Sequence, residues 1–129
     1  MLFKRNRSFL IFIFLFIISL LFTFDLFINK GQPTTFDGPT HLTNIAQFDK
    51  AIKDGELLPR WADGFANYGM PIPIIAQQTT SYLGALFNIV LHNILLSYNM
   101  VVLVGAFFSV LSFLINLIFP TITFFLYSL

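Results

Sequence analysis

The 129-residue sequence contains no cysteine, so disulfides and thiolate metal sites are excluded. Charge is scarce as well: Asp, Glu, Lys and Arg make up 10% of the chain, the net charge is +1, and none of these residues occurs after Asp63. So small an excess of positive charge offers no basic face to a phosphate backbone, which excludes nucleic acid as a partner. Only two histidines are present, His41 and His92, and they stand too far apart to form a local metal-ligand motif. A glycine-rich phosphate loop, a Ser-His-Asp order and a zinc signature are also missing.

Hydrocarbon fills the space that charge leaves. The chain is 57% hydrophobic with 18 phenylalanines, far from the balance of an ordinary soluble domain. The expectation is an all-α, polytopic membrane protein with three transmembrane helices. Residues 8–28 are uncharged but for Asp25 and strongly apolar, and at ~1.5 Å per residue they cross a bilayer core of ~30 Å. Lys4, Arg5 and Arg7 precede this run, so the positive-inside rule puts residues 1–7 in the cytoplasm. A signal peptide would share the basic start, but no small-x-small cleavage site follows and the apolar run is long.

Residues 29–80 are then expected outside. Within them PTHLTNIAQFDKAIKDG predicts a helix over about 39–54: Pro39 suits the first turn, and Gly55 supplies the stop. Leu42, Ile45, Ala46, Phe48 and Ile52 share one face, with Asn44, Gln47, Lys50 and Asp54 opposite. Such a helix is expected to lie on the membrane with its apolar side in the headgroup boundary. Asp49, Lys50, Lys53 and Asp54 read as a solvated face. The stretch WADGFANYGMPIP, with Gly64, Gly69, Pro71 and Pro73, reads as a loop.

Two more spans are expected at 81–98 and 100–119, joined by a tight turn at Tyr98 and Asn99. Ser81, Asn88 and His92 fall on one stripe of the first, and Gly105, Ser109, Ser112 and Asn116 on one stripe of the second. Small and weakly polar stripes let membrane helices approach closely, so these predict a packed bundle. Pro120 interrupts the pattern, and 120–129 reads as the start of a further apolar segment. That apolar ending is the mark of an N-terminal part of something longer, or of a truncated reading frame.

The residues able to do chemistry gather around FDGPTHL. Asp37 has two competing readings. It is the N-cap of the 39–54 helix, its carboxylate taking a backbone N–H, or it is a general base or metal ligand on the rim of the membrane bundle. His41, one turn on, pairs with Asp37 or packs under the loop. Asp25 reads as a snorkelling or packing carboxylate. Arg60 and Trp61 read as an interfacial anchor, with phosphate binding by Arg60 as the rival. His92 is costly inside an apolar span, which makes it a candidate substrate contact.

Taken together, Asp37 and His41 (D-x-x-x-H), a helix, Gly55, Pro59 and Trp61 (G-x-x-x-P-x-W), and Gly69 and Pro71 (G-x-P) resemble the first exported loop of the C-type glycosyltransferase (GT-C) superfamily. The resemblance covers roughly residues 9–100. It is nearest to the "6-pyruvoyl-tetrahydropterin synthase-related" membrane proteins and, more loosely, the YfhO-like proteins. It implies part of a larger helical bundle that transfers a sugar from a polyprenyl-phosphate carrier to an extracytoplasmic acceptor. By position Asp37 would be the base or the ligand of a divalent cation, and His41 would orient the acceptor or contact the phosphate. The bilayer, the lipid-linked sugar and further helices would be the partners. The chain departs from many such proteins after the G-x-P turn, where QQTTSYLGALF replaces a Tyr-Pro-Leu stretch. Its two histidines also fall short of the three that hold zinc in soluble pterin synthases.

Overall fold

A computed structural model describes residues 2–29, 31, 35–64, 68–71 and 78–127, with helical side chains from position 9 to 116. Lys30, Pro73 and the side chains of Lys4, Arg5, Arg7 and Pro120 lie outside the described residues. Among the described residues the fold is all-helical: α1 (Leu2–Ile28), α2 (Gly38–Lys53), α3 (Gln78–Leu91) and α4 (Ile94–Tyr127). One isolated antiparallel bridge, Ala62 to Met70, is the extended pairing among them. The chain divides into two compact units, Met1–Phe24 with Leu103–Leu129, and Asp25–Val102.

In the first unit α1 and α4 are apolar rods. Leu15, Ser19 and Thr23 form a buried stripe on α1, one residue per turn as i, i+4 spacing requires. Their polar atoms are satisfied within the helix: Ser19 Oγ donates to the Leu15 carbonyl at 2.8 Å and Thr23 Oγ1 to the Ser19 carbonyl at 2.9 Å. Phe16 meets Phe107 of α4 edge to face, with ring centroids 6.4 Å apart. Most other apolar side chains of these helices face outward, Phe22 at 80% exposure among them. Water would charge ~25 cal/mol for each Å² of such surface, and lipid would not.

Two stretches among the described residues are long and apolar enough to cross a membrane, Phe9–Ile28 with 20 residues and Ile94–Asn116 with 23. The span expected at 81–98 is not one of them. In its place α3 has 14 residues, about 21 Å of helix against a core of ~30 Å. The chain breaks at His92 and Asn93, not at Tyr98 and Asn99, which lie inside α4. His92 adopts φ 50, a left-handed conformation that ends α3. Asn93 starts α4 as its cap, its Oδ1 accepting the Leu96 N–H at 3.0 Å. The helix then runs past position 120 to Tyr127, so Pro120 does not end it. A proline removes one N–H from the ladder, and the neighbouring turns carry the rest.

The α4 stripe of Gly105, Ser109, Ser112 and Asn116 is exposed along its length, not packed as its spacing had implied. Ser109 Oγ donates to the Gly105 carbonyl and Asn116 Nδ2 to the Ser112 carbonyl, each at 2.8 Å. Their hydrogen bonds are therefore met inside the helix, and no second helix is required to satisfy them.

The second unit is built on α2 against α3. Pro39 lies in the first turn of α2, where its missing N–H costs nothing. At the other end Gly55 takes φ 92, while the Glu56 N–H reaches the Ala51 carbonyl at 2.9 Å and the Gly55 N–H reaches the Ile52 carbonyl at 3.1 Å. This is the double closure of a Schellman motif. Ile45 and Phe48 are buried, and they are covered by α3: the ring of Phe48 meets that of Tyr82 edge to face at 6.0 Å. The apolar face of α2 is therefore occupied by protein, which removes the expected role of that face as a membrane-surface float. Asn44 (5% exposed) and Asp49 (8%) are buried too, contrary to their assignment to solvated faces. Asp49 Oδ2 pairs with Lys53 Nζ at 2.6 Å, so the buried carboxylate is met by an ammonium that itself stays at the surface. Lys50 remains on the surface, 3.7 Å from Asp63.

Asn99 joins the start of α4 to the end of α1. Its Nδ2 donates to the Leu26 carbonyl at 2.6 Å, in the last turn of α1, where carbonyls have no helical partner. Replacing Asn99 with leucine is expected to cost about 1 kcal/mol, read as a lower midpoint in the thermal loss of helical circular dichroism in micelles.

Candidate functional site

Asp37 occupies the N-cap position of α2 but makes no side-chain cap bond. The backbone explains this. At φ −97, ψ −6 the residue is already helical, whereas capping side chains reach the N2 or N3 amide from the extended region. Its carboxylate is exposed, and it has no ion-pair partner among the described residues. The capping reading thus holds for position and fails for the side chain.

His41 follows one turn later, and the two residues are linked through the backbone, with the His41 N–H on the Asp37 carbonyl at 3.1 Å. Their side chains share no hydrogen bond. The half-buried imidazole instead stacks on Tyr98 of α4, with ring centroids 6.4 Å apart and planes 27° off parallel. Tyr98 was read as part of a turn, so its role as the wall behind His41 comes only from the fold.

Arg60 and Trp61 lie on the segment after the Gly55 stop. Tyr82 Oη donates to the Leu57 carbonyl at 2.8 Å, and Glu56 Oε1 accepts the Arg60 backbone N–H at 3.1 Å. The first bond ties the segment to α3, and the second closes a turn within it. The Trp61 indole occupies the space that a Cβ at Gly69 would need, and the Ala62–Met70 bridge closes the loop with bonds of 2.9 and 3.1 Å. Leu57, Leu58, Trp61, Tyr68 and Met70 are all exposed, an apolar and aromatic rim of the kind found at bilayer interfaces. The Arg60 guanidinium has no hydrogen-bond or ion-pair partner among the described residues.

Arg60 also borders a cavity of about 800 Å³ lined by Phe48, Leu58, Tyr82, Leu83 and Leu86. The sequence carried a faint signal of this groove: Tyr82 and Leu86 are four apart, as are Thr79 and Leu83, so they share one face of a helix. His92 stands exposed at the break between α3 and α4. No hydrogen bond, ion pair or ring contact joins it to Asp37, His41, Arg60 or Trp61 among the described residues.

The sequence-predicted residues thus fall into three places: Asp37 with His41 at the start of α2, Arg60 with Trp61 on the loop, and His92 alone. No three His, Asp or Glu side chains are grouped for a metal ion among the described residues. A lone carboxylate is a thin donor set for a divalent cation. No family model matches the chain, and no curated protein or solved structure matches it either.

Proposed function

We propose that the chain forms part of an integral membrane glycosyltransferase that moves a sugar from a polyprenyl-phosphate carrier to an acceptor outside the cytoplasm, with Asp37 as the base. The observation that carries this reading is the state of Asp37, whose exposed carboxylate is engaged by neither a helix cap nor an ion pair among the described residues. In the step itself Asp37 takes the proton of an acceptor hydroxyl as that oxygen bonds to the anomeric carbon. The bond from that carbon to the carrier phosphate breaks, and its electron pair leaves with the phosphate. His41, steadied by Tyr98, orients the acceptor or contacts the phosphate. Membranes carrying the protein should transfer labelled sugar from a polyprenyl-phosphate donor to an acceptor; transfer no greater than in membranes lacking it ends the proposal.

The same reading places residues 1–7 in the cytoplasm, on the strength of Lys4, Arg5 and Arg7, and the α2–α3 unit outside. Two spans suffice. The Asn99 bond to Leu26 supports an α4 that starts on the side where α1 ends. With no native cysteine, single cysteines at the exposed positions Thr40 and Asn93 are expected to react with an impermeant maleimide from outside in whole cells. Protection of position 93 until the cells are opened would mean that α3 crosses the membrane after all.

A second reading, a membrane protein without catalysis, draws on one feature: Arg60, Trp61 and His92 do not converge on Asp37. It expects Asp37→Asn to change nothing measurable in sugar transfer.

A further inference from the structure

The groove beside Arg60 has a composition that neither helix packing nor sugar transfer requires. Its volume of about 800 Å³ lies in the range of sites for single small molecules, ~300–1,000 Å³. Gln78 and Thr79 line it from the first turn of α3, and Leu83 and Leu86 from one and two turns further on. It therefore grades from polar to apolar along the helix. Phe48 and Tyr82 supply aromatic wall, and Leu58 is left largely exposed at 76%. One cation borders it, Arg60, whose guanidinium has no partner among the described residues.

We infer that this groove binds a long-chain carboxylic acid, its hydrocarbon chain against Phe48, Tyr82, Leu83 and Leu86 and its carboxylate on Arg60. Charge decides the head group. A guanidinium fork matches the two oxygens of a carboxylate. A single arginine supplies one positive charge, and the Glu56 carboxylate bound at the Arg60 backbone N–H disfavours a second negative charge, so a monoanion fits better than a phosphate monoester. The lining decides the tail, since Phe48, Leu83 and Leu86 offer an apolar wall to hydrocarbon. The exposed Leu57, Leu58 and Trp61 rim offers such an acid a path from the bilayer. This assignment does not rest on glycosyl transfer, and neither failure implies the other.

The single tryptophan, Trp61, is adjacent to Arg60 and reports on the site. With the protein in phosphatidylcholine vesicles, myristate is expected to shift Trp61 emission saturably. Arg60→Gln is expected to raise the half-saturating concentration roughly tenfold, the worth of one charge-assisted contact, while Arg60→Lys retains part of the affinity. Acetate, which has the head without the tail, and tetradecanol, which has the tail without the charge, should give no saturable shift at the same concentrations. A response to myristate that is absent or does not saturate overturns the assignment. So does an Arg60→Gln curve that overlies the wild type, or a tetradecanol curve that matches that of myristate.

Discussion

Asp37→Asn is expected to lower sugar transfer by about 10²- to 10⁴-fold, the usual worth of a general base, while membrane insertion and helix content stay unchanged. The change is nearly isosteric and removes only the basic lone pairs. Asp37 is exposed, makes no cap bond and joins no ion pair among the described residues, so these lose no side-chain interaction when the charge goes. Initial rates with labelled donor, together with circular dichroism of the purified variant, separate the two effects. A variant that retains full transfer would remove Asp37 from the chemistry. His41→Ala is expected to have a smaller effect on rate, because its ring meets Tyr98 and not the Asp37 carboxylate.

The largest structural effect is expected at Gly84, where α3 packs directly on Ile45 of α2. A Cβ at this position would meet Ile45 Cδ1 and Cγ1, each at 2.6 Å, inside the distance that real contacts keep. Ile45 is buried at 2% exposure and has little room to give way. Gly84→Val is therefore expected to destabilise the α2–α3 unit by roughly 3 kcal/mol, the upper part of the range for overpacked cores. It should also expose α2 to protease. Gly105→Val is the matched control, since nothing lies within 4 Å of a Cβ there, and in a helix valine is no worse than glycine. Ile45→Ala should relieve part of the damage in the Gly84→Val chain, because the two sites share one contact. Equal melting of the Gly84 and Gly105 variants would mean that the helices do not approach at this point.

Local signals located several features without help from the fold. Pro39 and Gly55 bracketed α2 because each acts through its own backbone: one lacks an N–H, and the other takes φ 92 at a helix end. The first long apolar helix, with Phe9–Ile28 long enough to cross a membrane, was legible from its length and composition alone. The break at His92 and Asn93 was within reach. Asn is a strong N-cap, and here it takes the Leu96 N–H. The unbroken apolar run hid it, since hydropathy averages over a window and a cap is one residue.

The sequence by itself settled that the chain is helical, apolar and free of charge beyond Asp63, and where α2 starts and stops. Only the tertiary structure decided what each face meets. It set Ile45 and Phe48 of α2 against α3 and not lipid, buried Asp49 beneath an exposed Lys53, left the Gly105 stripe bare, and opened a groove beside Arg60. The reason is physical: periodicity states that a face is apolar, and an apolar face is equally content against a helix or a hydrocarbon chain. The choice between them depends on shape, on whether a glycine such as Gly84 lets a neighbour close in, and shape exists only once distant segments have met.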